Sequence, residues 1–299
     1  MGAIRPRWAA WSYLLYAGGF TLLFAAVALL SFFSGHYVHG KVVVLSLVVF
    51  VGFAFVARSL HRDGEHPIAA GLFASISVTL FGAFVGSLWT WFGWLGGASS
   101  GASSPFSGFS LARLSLVLLT LLAALIALHS FRFPLLVLII VGLTWFFATD
   151  LLSGGGDWSA VVTFVVGLVF LGWARAADSG PNHSYGMWLH VGAGLTIGGS
   201  LLWFLHHGHF EWALIVVASL LYVKLASLFE RASWAVLGSV GILAAATHFA
   251  TSYSHATVSL AGASSGGSRG WVPALVFGIA GTLLFVVGGL LARRTTSAS

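Results

Sequence analysis

Between Phe204 and Trp212 the chain reads FLHHGHFEW, so His206, His207, His209 and Glu211 fall together in a sequence whose charged residues make up only 7% of its length. Neutral imidazoles with a carboxylate are suitable ligands for Zn²⁺, Cu²⁺ or Ni²⁺. They also titrate near neutral pH, which suits a proton sensor. His36 and His39, like His206 and His209, are spaced i, i+3, which on a helical turn puts two rings on one face.

Three chemistries follow from these residues. One is a transition-metal site built from His206, His209 and His248, with His36, His39 and Asp150 as further ligands. A second is haem, with His206 and His248 as axial ligands from two facing helices. The third is pH sensing by the whole histidine-rich face. Against them stands a plainer role: His sits well at membrane interfaces beside Trp and Tyr, and this chain has no Gln and a single Asn, Asn182, to share that work. No HExxH, CxxCH or two-His-one-carboxylate spacing occurs on one helix, so every ligand version needs separate helices to converge. The absence of Cys excludes thiolate metal sites, iron–sulfur clusters, disulfides and thiol catalysis.

The elements that must position these side chains are membrane spans. Hydrophobic residues make up 59% of 299, mean hydropathy is +0.99, and apolar runs of about 20 residues recur, the length that crosses a ~30 Å hydrocarbon core. About ten spans are expected, over residues 12–33, 42–60, 68–95, 111–129, 133–152, 159–175, 186–206, 211–229, 233–253 and 271–292. The first follows a basic start, MGAIRPRW, but its apolar stretch is longer than a signal-peptide core and no small-x-small cleavage site follows, so it is expected to remain as a span. Gly2 does not open a myristoylation motif, since Pro6 stands where Ser or Thr is needed. The Gly/Ser-rich stretch from Gly96 to Ser110 is one of the longer connections and reads as a flexible loop.

Arg5, Arg7, Arg58, Arg62, Arg132, Arg175, Arg231, Arg293 and Arg294 fall on one side of these spans, and Lys41, Arg113 and Arg269 on the other. The positive-inside rule then makes both termini cytoplasmic. His36, His39, His206, His207, His209, His248 and His255 come to the outer side, with Asp150, Asp157 and Glu211. Asp150 and Asp157, at span ends, are expected to be solvated. His248 lies ~6 Å inside the outer boundary, about level with His206, and a ring at that depth needs a partner. His129 and His190, near inner span ends, are expected to bond neighbouring backbone or lipid headgroups. The basic residues, scattered between spans, form no patch for nucleic acid.

Short matches recur in order along the chain: ARSLHR with LASLFER, GASSGASS with GASSGGS, and SGHYVH with HHGHFE. They suggest one transmembrane domain over 1–299 with repeat units 8–130 and 185–294 and two spans between them. Chance likeness among Leu/Ala/Gly-rich helices is the alternative. GAFVG from Gly82 and GLTIG from Gly194 are small-xxx-small faces suited to internal helix packing. Every Pro lies in a loop or at a span start, where it disturbs a helix least. The midplane carries hydroxyls such as Thr79, Thr144, Thr163, Thr196, Ser219 and Tyr222 but no charge, which speaks against an ion-coupled transporter. No phosphate loop, carboxylate pair or nucleophile elbow can be traced, so no enzyme is expected, save one working from the outer histidines.

Two closing stretches, LFERASWAVLGSVGILAAATHFA from Leu228 to Ala250 and WVPALVFGIAGTLLFVVGGLLARR from Trp271 to Arg294, resemble the last helices of uncharacterised bacterial multi-span inner-membrane proteins. In those an Arg-led apolar helix carries Gly-His near its outer end; here Thr247 precedes His248. The resemblance implies a bacterial inner-membrane protein and points to no particular activity. The expected fold is an all-α polytopic transmembrane bundle. The expected function is that of a non-catalytic membrane component, a subunit or scaffold with lipid and protein partners; the alternatives are a metal- or haem-binding protein and a permease for a small solute.

Overall fold

The computed structural model describes residues 39–64, 66–95, 110–152, 156–180, 183–254, 258–259, 262–263 and 275–282. Eight helices among these residues are long and apolar enough to cross a membrane, which makes this an integral membrane protein. They are α1 (His39–Asp63), α2 (Pro67–Trp91), α3 (Leu111–Phe131), α4 (Leu135–Leu152), α5 (Asp157–Asp178), α6 (His183–Leu205), α7 (His209–Phe229) and α8 (Ala232–Ser254). They correspond to the second through ninth expected spans. The first span, 12–33, lies outside the described residues, and of the tenth only 275–282 is described, as helix. A two-residue antiparallel pairing, Val258 with Ala263 and Ser259 with Gly262, is the one departure from all-α structure among the described residues.

The helix ends follow local chemistry. Pro67 opens α2 at a position where its missing N–H is not needed. Ser110 is the N-cap of α3, its side chain accepting from the Arg113 amide. Two helices end on a residue in the left-handed region, Arg132 (φ 50°) after α3 and Glu230 (φ 53°) after α7. Their amides close the last turns onto Leu128 and Ala226 carbonyls. Pro134 two residues beyond Arg132 prevents α3 from continuing.

The chain divides into two compact units, one formed by the described residues up to Val162 with Ala176–Leu189, the other by Thr163–Arg175 and the described residues from His190 onward. These boundaries differ from those of the expected repeat units, 8–130 and 185–294. In the first unit α2 packs against α1, α3 and α4 and is the enclosed helix, buried at Ala69, Ala70, Gly71, Ala74, Ser75 and Ser77 among others. Small side chains let neighbours approach where lipid supplies no hydrophobic drive between helices. The Phe133 ring occupies the place where a Cβ on Gly71 would project. Phe53, Ala57, Leu72, Phe73, Ile76 and Leu80 form a core between α1 and α2.

In the second unit α7 and α8 make a close antiparallel pair. A Cβ on Gly238 would stand 2.6 Å from the Ser219 carbonyl oxygen, and Gly241 faces the Ser219 hydroxyl. Residues 275–282 add a packed patch of Ala280, Val276 and Phe277 against Ile242, Ala246 and Leu220. The two small-xxx-small faces do pack internally, Gly82 against Thr120 in the first unit and Gly194 and Gly198 against Leu237 and Tyr222 in the second.

Candidate functional site

The turn between α6 and α7 carries the histidine cluster. Gly208 is the extended N-cap of α7 (φ −138°, ψ 171°), and Glu211 stands in the first turn of that helix, where a carboxylate is favoured by the unsatisfied amides. The absent Cβ of Gly208 leaves room for the Glu211 carboxylate. Trp212 donates its indole N–H to the His206 carbonyl at 3.1 Å, and His206 Nδ1 meets the Trp203 carbonyl at 2.6 Å. Since a carbonyl only accepts, Nδ1 is the donor there. The His206 and His207 rings lie 4.0 Å apart.

Because α7 and α8 are antiparallel, His209 at the start of one meets His248 near the end of the other. His248 Nε2 is 3.3 Å from His209 Nδ1 and 3.5 Å from Ser252 Oγ. Trp212 stacks on the His248 imidazole, centroids 4.5 Å apart and planes 9° off parallel. The partner that His248 needed at its depth is therefore His209, together with an indole face, while His206 is turned to its own backbone. His209 is exposed and His248 half-buried. Two nitrogens bound at 2.0–2.1 Å to one tetrahedral ion lie ~3.3–3.4 Å apart, so the pair has the separation of two ligands on such an ion.

The remaining candidates are not gathered there. His36 lies outside the described residues, as does the side chain of His39, and Asp150 belongs to the other unit. No group of three His, Cys, Asp or Glu side chains converges among the described residues.

Two expectations about charge and burial are corrected. Asp150 was expected to be solvated at its span end; it is 1% exposed, and Arg113, read as a topology marker, is 4% exposed. The Arg113 Nε donates to Asp150 Oδ1 at 2.7 Å, and Nη2 forms an ion pair with the same oxygen. Arg113 sits in the first turn of α3 and Asp150 in the last of α4, so the antiparallel pairing puts them at one depth, and a charge removed from water is tolerated only when paired. Asp157, by contrast, is exposed, as a span-end carboxylate should be.

His190 was expected to bond backbone or headgroups; instead it is fully buried, and its Nδ1 accepts the Trp234 indole N–H at 3.1 Å. An indole only donates, so Nδ1 carries no proton and the ring is held as the Nε2–H tautomer. Around this bond Tyr222 and Phe229 rings lie 4.9 Å and 5.7 Å from Trp234. The Arg175 guanidinium covers Phe229 at 5.2 Å. Sequence reasoning missed this cluster, since forty-four positions separate His190 from Trp234 and no short motif links them.

No protein-family model matches this chain, and no curated protein or solved structure matches it. What the molecule does must be read from its own geometry.

That geometry includes a cavity of about 210 Å³ in the second unit, walled by Gly194, Gly198, Leu237 and Gly241, with Ser219 and Tyr222 as its polar members. Both hydroxyls are already committed, Ser219 to the Ile215 carbonyl at 2.7 Å and Tyr222 to the Gly194 carbonyl at 2.9 Å.

Proposed function

We propose that this protein is a non-catalytic integral membrane component, a subunit or scaffold of an assembly in a bacterial inner membrane. About ten spans, both termini cytoplasmic and a four-plus-four repeat belong to this proposal. The observation that supports it best is the way the hydroxyls within the spans are used. Ser75, Thr79, Thr120, Thr149, Thr196 and Ser219 each donate to a carbonyl one turn back in their own helix. A hydroxyl satisfied in this way needs no water and does not have to face a passing solute. The helices are then suited to packing against lipid and other helices, and partners would meet the apolar outer faces.

The test is paired. In native membrane extracts the protein should migrate in a complex with a partner at fixed stoichiometry, and proteoliposomes holding it alone should show no uptake of small neutral or charged solutes. A lone monodisperse chain that drives solute flux would overturn the reading in favour of a permease.

A second reading has its own observation, the 3.3 Å between His209 Nδ1 and His248 Nε2. It supports a small ion over haem, since a porphyrin would need the space between the rings that this contact closes. Zn²⁺ or Cu²⁺ bound there would need further ligands from the solvent or another chain. Near-stoichiometric metal in the purified protein, lost in His248→Ala, would favour this reading; metal retained in that variant would end it.

A further inference from the structure

The first unit carries a groove of about 770 Å³ between α1, α2 and α3. Its volume is in the ~300–1,000 Å³ range of ligand sites. Phe50, Phe55, Phe81 and Ile126 supply apolar walls, and one end holds Arg58, His61 and Arg62. Those three are spaced i, i+3, i+4 on α1 and share a face. All three are exposed, and the His61 ring rests on Phe131 at 4.9 Å. Among the described residues neither Arg58 nor Arg62 has a hydrogen-bond or ion-pair partner. The Ser130 hydroxyl lines the same groove.

We propose that this groove binds an anionic phospholipid, its phosphate held by Arg58 and Arg62 and one acyl chain lying along the apolar walls. This goes beyond the subunit reading and needs only that the helices span a membrane. The length agrees: from Arg58 back to Phe50 is about 12 Å along the helix, close to one leaflet of a ~30 Å core. Guanidinium groups present paired N–H donors to phosphate oxygens, and basic residues at a membrane boundary draw anionic headgroups. The other candidate occupant from this chain is its own start. Residues 1–38 contain Arg5 and Arg7 and no Asp or Glu, so that segment offers the basic end of the groove no counter-charge, whereas an anionic lipid does.

The full-length protein in a mild detergent is titrated with palmitoyl-oleoyl phosphatidylglycerol or with the phosphatidylcholine of the same chains, and retained lipid is counted by native mass spectrometry. The wild type should keep one phosphatidylglycerol in preference to phosphatidylcholine by about tenfold. The double variant Arg58→Gln/Arg62→Gln should lose that preference, and Lys224→Gln, an exposed base in the other unit, should keep it. Ala54 also lines the groove, and Ala54→Trp, which fills the apolar slot and leaves the charges in place, should weaken retention of both lipids. Helical circular dichroism identifies variants that have failed to fold, and the two arginines, being exposed, can be replaced without disturbing the core. Equal binding of the two lipids, or an unchanged preference in the double variant, overturns the proposal. Displacement of the lipid by millimolar inorganic phosphate identifies a simple anion site and also overturns it, as does a self-association abolished by Ala54→Trp, which would make the groove a contact between copies.

Discussion

Arg113 with Asp150 in the first unit and His209 with His248 in the second are both polar pairs joining an antiparallel helix hairpin near its end, and they are built for opposite purposes. The first is sealed: its side chains are 5% and 0% exposed, and Asp150 Oδ2 is buried without a donor among the described residues. Charges so placed have their attraction consumed in offsetting lost hydration. The second pair has no carboxylate in it, faces outward through His209 and has an indole as its floor. A closed ionic pair fixes how two helices meet, and an open imidazole pair keeps nitrogens that an incoming ion can take over.

The largest effect should come from breaking the sealed pair on one side. Asp150→Asn leaves the Arg113 charge buried without its counter-ion and should lower stability by about 3–5 kcal/mol, read as a large drop in thermal midpoint in detergent. Arg113→Met with Asp150→Leu should recover most of that loss. If the single variant unfolds no earlier than the wild type, the pair is not sealed in the membrane-embedded protein.

The buried His190–Trp234 bond extends the comparison to a neutral sealed pair. Trp234→Phe keeps an aromatic ring but leaves the His190 acceptor without its donor, at a cost of about 1–3 kcal/mol. The thermal midpoint should fall by less than in Asp150→Asn, and an equal fall would contradict the ranking of charged over neutral pairs. Gly238→Ala tests the packing of α8 on α7 without touching any polar pair. Its new methyl meets the Ser219 carbonyl, part of a backbone that moves little, so overpacking should cost about 1–3 kcal/mol.

The smallest effect belongs to the open pair. His209→Ala and His248→Ala should each change stability in metal-free buffer by less than about 1 kcal/mol. With Zn²⁺ at a hundred times its Kd, the wild type should gain about 2.7 kcal/mol, His209→Ala and His248→Ala should not, and His206→Ala should retain that gain. A gain that persists in His248→Ala would move any metal away from this hairpin.

How much of this was legible in sequence differs by element. The runs at 68–95 and 133–152 foretold α2 and α4 because twenty apolar residues have one low-energy arrangement in lipid, a helix with its own backbone satisfied. Pro67 and Pro134 marked starts for a reason local to the chain. The placement of His209 and His248 near the ends of their helices was legible in the same way, but which histidine would meet His248 was not. Depth alone suggested His206; the observed partner is His209, because side-by-side packing of α7 and α8 through Gly238 and Gly241 sets the register. Arg113 and Asp150 were both visible, each near a span end, and their pairing was still missed, since position along a span says nothing about the direction in which a side chain points across the bundle.

The sequence by itself determined that the chain is helical and membrane-embedded, where most helices begin and end, and that any metal or haem ligands must come from histidine, methionine and oxygen. Those properties depend on length, hydropathy and residue type, which are one-dimensional. Only the tertiary structure decided that Arg113 and Asp150 close on each other, that His190 is committed to Trp234, and that α1, α2 and α3 leave a groove with a basic end. Such outcomes depend on the azimuth and register of helices packed side by side, and these are set by close contacts between residues far apart in the chain.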